Sequence, residues 1–512
     1  MEPSIAAPAA TPPSRLQMAG VPRRVAGLLR RALPHLPMLV LAAAYAIRFS
    51  QLSVAVHDGF GTPPFDMAIP DQGIWLLSRF HAPFVTVMGR NLFADHTSWI
   101  LVLAVPLYWV YPHAQALLVL QSCLLAAAAV PIYLLARRRL GNTWMATALA
   151  ATYLLNPALQ NGNLEQFHVE AFTVLFVAMA IYAAVEWNPA LLAVSVVGVL
   201  LCKEDTAVLM VPLGIWVFLR RSRRWGSVIA LGSAVWTALS LEVFTRVMLG
   251  GGSIHTNRFP FGGVGGFLSA LFTKPRQMYD YLTSQGRLFY LWQMGSSVGW
   301  AFLLGPSVAA IGLLTFVENE IADFVYMHEI QFHYSMPLVP ILVLGTVYAI
   351  GRLTDVRMRA AATGFVTCCA FVACVFWGLA PFSFNTYPHQ STSSPAVQDA
   401  NAVIRHLPPN AIVSAWYPFV SHIDHRTRIY MWPTPFSAKF WDRYQFDGRR
   451  LPFADQVQYL LLPTDSYDLG PDDARVLAEV SSQFRIIYQV GYVALFERVR
   501  DAPPAGAGAP AP

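Results

Sequence analysis

The chain has 512 residues, 55% of them hydrophobic and only 12% charged, where a soluble domain carries about 25% charged residues. With a mean hydropathy of +0.45, this composition excludes a disordered protein and speaks against an ordinary soluble enzyme. The net charge of +6 comes from short arginine clusters between apolar runs, a pattern of membrane topology rather than of nucleic-acid binding.

Residues 1–32 are rich in Pro and Ala and carry Arg15, Arg23, Arg24, Arg30 and Arg31. They read as a basic cytoplasmic tail. The apolar run Leu33–Ala55 follows, with no small-residue cleavage site after it. It reads as a first spanning helix rather than a signal peptide. Later apolar runs end at Arg137-Arg138-Arg139, at Arg220, Arg221, Arg223 and Arg224, and at Arg352, Arg357 and Arg359. Short loops this dense in arginine are cytoplasmic. Placing all of them inside predicts further helices near 114–136, 143–158, 170–187, 189–202, 205–220, 226–249, 287–304, 306–318, 335–351 and 360–380. With the first, that makes about eleven spans in a membrane domain over 33–380, several short for a bilayer that needs about 20 residues. Residues 98–112, SWILVLAVPLYWVYP, sit in the first outer loop, 56–113. They are apolar but too short to span, so they are expected to lie in the outer leaflet. The five cysteines, Cys123, Cys202, Cys368, Cys369 and Cys374, lie in or beside apolar runs without CxxC spacing. They read as small hydrophobes.

Near Pro381 the character changes. Residues 411–415, 428–431 and 458–462 read as short strands, 471–483 as a helix and 484–496 as two more strands. This predicts a small extracytoplasmic α/β domain over 381–500, followed by a disordered Pro/Ala/Gly tail, 501–512.

Ionisable residues next to membrane spans are costly and mark sites. On this topology they collect on the outer side. Asp66, Asp71, Asp95 and His96 fall in the first outer loop, and Glu165, His168 and Glu170 in NLEQFHVE. Lys203-Glu204-Asp205 interrupts an apolar stretch at an outer turn. Glu318, Glu320, Asp323, His328, Glu329 and His333 share a later connection. Arg246, His255, Arg258, Lys274 and Arg276 fall in or near the long loop 246–287. Either these residues line a site, or outer loops simply carry polar residues. Three consecutive charges between apolar helices speak for the site.

Asp66 and Asp71 lie five residues apart on FDMAIPDQGIWLL with Pro70 between them, and a break there would point both inward. His96, His168 and His333, with Asp95 or Glu165, suit a divalent metal or are ordinary hydrogen-bonded histidines. No HExxH spacing decides between the two. The chain has no GxxxxGK[ST], no GxGxxG and no GxSxG in its strand–turn–helix setting. No cofactor beyond such a metal is expected, and GGVGG at 262–266 reads as a flexible loop. In the C-terminal domain, Trp416, Tyr417, His422 and His425 serve either glycan binding or packing.

The order of these pieces resembles the GT-C superfamily of membrane glycosyltransferases, which use polyprenyl-phosphate sugars. FDMAIPDQGIWLLSRFHAPFVTV is similar to its first-loop pattern, and Thr97–Pro112 to its second interfacial helix. YLLARRRLG resembles the end of its second helix, LCKEDTAVLMVPLGIWVFLRR its break between helices five and six, and FHYSMPLVPILVL a late helix. More narrowly, FDMAIPDQ, ADHTS, FHVEAF, KED and QFHYSMPLVP resemble a bacterial family of predicted membrane proteins known as a domain of unknown function. One departure stands out: the common DE or DxD pair is absent, and FD followed by DQ takes its place.

The resemblance implies a polytopic α-helical membrane protein of the bacterial plasma membrane, GT-C-like, with its N-terminus cytoplasmic. It implies inverting transfer of a sugar from a polyprenyl-phosphate donor in the bilayer to a glycan, lipid or protein acceptor. Asp66 would be the general base, with Asp71 next in line. Lys203, then Arg258, Arg276 and His333, would bind the donor phosphate. Glu204 or Asp205 would orient Lys203, and Asp95, His96, Glu165, His168 and Tyr334 would line the site. Two other classes remain open: a lipid or glycan transporter or flippase, and a non-catalytic scaffold. Charges gathered at one face rather than at the midplane, and no visible inverted repeat, speak against a transporter.

Overall fold

The computed structural model describes residues 33–244, 247, 258–440, 446–464 and 469–499. The basic tail 1–32, Arg246, His255 and the tail 501–512 lie outside the described residues. The first half of the helical bundle runs α1 (Leu33–Asp58), α2 (Ala68–Ser78), α3 (Trp99–Val110), α4 (Gln115–Leu140), α5 (Thr143–Leu154), α6 (Pro157–Leu164) and α7 (Glu170–Glu186). The second half runs α8 (Pro189–Leu200), α9 (Ala207–Arg220), α10 (Arg223–Phe244), α11 (Val264–Thr273), α12 (Pro275–Thr283), α13 (Arg287–Ser296), α14 (Leu313–Ile321), α15 (His333–Ile350) and α16 (Val356–Trp377). Among the described residues α1, α4, α10, α15 and α16 are long and apolar enough to cross a membrane.

The turns between helices follow from local chemistry. After the arginines that end α4, Gly141 adopts the left-handed conformation, φ 69°, which glycine reaches without steric cost. Asn142 then accepts hydrogen bonds from the Trp144 and Met145 N–H groups and starts α5. The expected helix 143–158 is divided. It stops at Leu154, because Pro157 lacks the N–H needed to continue. Asn156 caps the new helix α6 through the Ala158 N–H, and α6 is buried along its whole length. Pro70 causes no break either. It sits in the first turn of α2, where a missing N–H costs no hydrogen bond. Asp66 therefore precedes the helix and Asp71 lies inside its first turn. The loop 246–287 holds two helices, α11 and α12, and Val264 of GGVGG begins the first of them.

Helices α9 and α10 pack backbone to backbone at two glycines. A Cβ added to Gly226 would lie 2.3 Å from the Phe218 backbone nitrogen, and one added to Gly214 would lie 2.5 Å from that of Ala230. Gly226→Val is therefore expected to cost about 3 kcal/mol, the upper end for overpacking, because a helix rather than a side chain must move. Thermal unfolding in detergent checks this, and an unchanged melting temperature would contradict the close packing.

A short hairpin, β1 (Phe84–Val85) and β2 (Arg90–Asn91), follows α2. After the bundle come α17 (Pro395–Ile404), β3 (Val413–Ala415), β4 (Ile429–Met431), β5 (Tyr459–Pro463), α18 (Pro471–Val480), β6 (Phe484–Val490) and β7 (Val493–Arg498). The sheet order is β4-β3-β5-β7-β6, parallel from β4 to β5 and antiparallel beyond. This α/β unit is not a separate body. Val413, Leu461 and Leu495 of its sheet share one hydrophobic core with Met67, Ile74 and Leu101 of the first loop region. Thr86 ties them further: its hydroxyl donates to the Ile429 carbonyl and accepts from the Ile429 N–H. All five cysteines are free thiols.

Candidate active site

The loops at one end of the bundle converge beneath the α/β unit. The turn before α2 brings Asp66, and the segment before α3 brings Asp95 and His96. The loop after α6 brings Glu165 and His168, the start of α7 brings Glu170, and the turn between α8 and α9 brings Lys203. Arg258 and the start of α15, with His333 and Tyr334, close the ring. Together they line a cavity of ≈ 470 Å³. A second cavity of ≈ 230 Å³ shares His96, Glu170, Lys203, Arg258 and Tyr334 with the first and adds Glu204 and Asp205.

Asp66 is half-buried at the wall of the larger cavity. Among the described residues its carboxylate forms no hydrogen bond and no ion pair. Lys203, 13% exposed, is ion-paired with Glu170. Glu204 is not its ion-pair partner, whereas Asp205 lies near enough to act on its charge. Burial alone would lower the Lys203 pKa, but Glu170 and Asp205 outweigh it and hold the ammonium charged. Burial raises the Asp205 carboxyl, although Lys203 opposes it. Arg258 lies over the faces of Phe324 and Tyr334, 4.9 and 5.7 Å from the ring centres, a cation–π arrangement that holds the guanidinium at the cavity.

Glu204 is committed elsewhere. It accepts from the Thr97 N–H at 3.1 Å and lies 2.8 Å from His96 Nδ1. Burial would raise its pKa, but His96 overrides that and holds the carboxyl down at about 2. A carboxylate lowered in this way stabilises the fold above its unfolded pKa, 4.5, and that contribution is lost as pH falls towards 2. Glu204→Gln is expected to cost about 3 kcal/mol near neutral pH. It should also flatten the acid limb of stability between pH 4.5 and 2. Melting temperature against pH for both proteins checks this, and parallel acid limbs would contradict it.

His333 donates its backbone N–H to Glu165 Oε2 at 2.5 Å, with its Nδ1 3.1 Å from the same oxygen. Its ring stacks on His168 at 3.7 Å between centres. Glu165, His168 and His333 offer ligand atoms within 4.8 Å of one another, and among the described residues the buried His168 Nε2 has no hydrogen-bond partner. Two imidazoles and a carboxylate with an orphaned nitrogen fit a divalent metal. His96 does not join them, because Glu204 holds it. Asp95 does not either: it is paired with Arg90, a buried cation that the sequence reading missed. Burial pushes Glu165 up to about 8, against the opposing pull of His168.

Two expected site residues lie elsewhere. Asp71 does not line the cavity. It is 1% exposed, accepts from the Tyr108 hydroxyl and lies 2.9 Å from His425 Nε2. A base must reach its substrate, so this geometry removes Asp71 from that role. Arg276 stands exposed on α12 and lines neither cavity. Of the C-terminal aromatics, Tyr417 reaches the cavity. Trp416 packs edge-on against Phe419, and His422 stacks on His57.

The sequence matches the family described as predicted membrane protein (DUF2079) over residues 56–475. The chain belongs to that family. No curated protein matches it. Among solved structures it is similar to ArnT from Cupriavidus metallidurans in the apo state. That likeness has 12% identity and a TM-score of 0.47, over 91% of this chain and 99% of that one.

Proposed function

We propose that the chain is an inverting membrane glycosyltransferase. It moves a sugar from a polyprenyl-phosphate donor to a cell-envelope acceptor on the outer face of the bacterial plasma membrane. One observation carries the reading: a single cavity combines the Asp66 carboxylate, without a hydrogen bond or ion pair among the described residues, with the cations Lys203 and Arg258. That is the charge pattern a displacement at a sugar phosphate requires. The acceptor hydroxyl attacks the anomeric carbon and gives its proton to Asp66. The bond between that carbon and the phosphate oxygen breaks, and polyprenyl phosphate leaves with the electron pair. Lys203 and Arg258 balance the charge that grows on it. Glu170 keeps Lys203 ionised and fixes its position. A divalent ion held by Glu165, His168 and His333 would supply further positive charge to the phosphate.

Helix α15 would guide the lipid tail. Helix α15 opens at the cavity with His333 and Tyr334, and its next turns carry Leu338 and Ile341. Those two residues line an apolar pocket of ≈ 220 Å³ with Met294, Trp300 and Phe316. A headgroup in the polar cavity would leave an isoprenoid chain to lie along this wall.

The test is a transfer assay with the purified full chain in lipid, offered a panel of polyprenyl-phosphate sugars and envelope acceptors. Consumption of one donor with its sugar appearing on acceptor is expected. A donor carried across the bilayer intact would instead make the chain a transporter. Neither binding nor consumption would leave a scaffold.

A further inference from the structure

Asp71 faces the α/β unit rather than the cavity, and what it meets there needs an explanation. Its Oδ1 accepts from the Tyr108 hydroxyl and lies 2.9 Å from His425 Nε2. Its Oδ2 is buried and finds no donor among the described residues; it faces the Asp424 carboxyl, with which it pairs only when one of the two carries a proton. Asp424, beside His425, is 2% exposed, and among the described residues no donor reaches its Oδ2. Ligand atoms of Asp71, Asp424 and His425 all lie within 4.8 Å of one another. The adjacent cation, Arg426, acts on Asp424 through its charge but donates no side-chain hydrogen bond to either carboxylate among the described residues. Arg426 turns its guanidinium to the carbonyls of Ile423, Pro408 and Ala411.

Two carboxylates buried this close repel each other unless a cation or a shared proton intervenes. Two carboxylates and an imidazole suit zinc or manganese better than calcium or magnesium, which prefer all-oxygen shells. The Tyr108 hydroxyl holds Asp71 in orientation, as outer-shell donors do around metal ligands. His425 keeps 25% of its side chain exposed, which leaves an entry path for a hydrated ion.

We propose that Asp71, Asp424 and His425 form a binding site for a divalent transition-metal ion, zinc or manganese, that clamps α2 to the α/β unit. The site is separate from the Glu165, His168 and His333 set and does not depend on the proposed reaction. It acts on the same helix whose leading turn carries Asp66. It reinforces the link that Gln72 makes one residue on, where Nε2 donates to the Arg426 carbonyl.

The experiment uses the full chain in detergent with His168→Ala, so that the cavity set contributes no ion. The protein is stripped with EDTA and dialysed against zinc or manganese. Its metal content and melting temperature are then measured. About one ion per chain and a raised melting temperature are expected. Asp424→Asn should lower the metal content at least tenfold and abolish the rise. It keeps side-chain shape and relieves the repulsion, so its metal-free melting temperature should not fall. His425→Gln serves as an independent second variant with the same expected loss. No retained ion, or equal retention in both variants, would overturn the site and leave a proton shared between the carboxylates. Retention of calcium but not zinc or manganese would overturn the assignment of the metal.

Discussion

Asp66→Asn is expected to lower the turnover number by about 10²–10⁴-fold, the range a positioned general base supplies, while leaving donor affinity within about twofold. The amide keeps the volume and the hydrogen-bonding edge of the carboxylate but cannot take the acceptor proton. Asp66 is half-buried, makes no hydrogen bond or ion pair among the described residues and precedes α2 in a turn. Its replacement therefore breaks no structural contact, and the melting temperature should hold. Single-turnover kinetics with donor binding measured in the same preparation separates the two effects. Full turnover in the variant would remove Asp66 as the base.

Lys203→Met is expected to weaken donor binding at least tenfold, the loss of one charge-assisted contact to phosphate. This substitution also leaves Glu170 buried beside an apolar chain, which destabilises the fold. The double variant Lys203→Met, Glu170→Gln separates the roles, because it removes both charges of the pair. Its melting temperature should recover towards wild type while donor binding stays weak. Donor binding that recovers with stability would show that Lys203 acts only through packing. Glu170 occupies the first turn of α7, where a carboxylate also meets the positive end of the helix dipole.

The long apolar helices were legible because length, hydrophobicity and the arginine clusters agree. The expected helix 360–380 appears as α16 from Val356 to Trp377, its Asp355 cap accepting from the Arg357 N–H. The five strands were legible from β-branched and aromatic runs between turn residues, each within a few positions. What spacing does not encode is contact. Lys203 and Glu170 lie 33 residues apart, and Asp71 and His425 lie 354 apart. Only the folded bundle brings each pair together. Charge and position along the sequence therefore gather the right charged segments, but they do not name Glu170 as the ion-pair partner of Lys203 and they leave Asp71 beside Asp66. The shared core between the first loop and the sheet was hidden for the same reason. Each side alone reads as an amphipathic surface, and neither names its partner. The helices α11 and α12 are hidden in the sequence because glycines crowd the start of the first and a proline opens the second, and both residues signal loops.

The measurement that tests the central claim most directly is the anomeric configuration of the product formed from a polyprenyl-phosphate sugar of defined anomer. Direct displacement with Asp66 as base predicts a sugar joined to acceptor with its configuration inverted. Retained configuration, or donor recovered intact on the other side of the bilayer, would contradict the account.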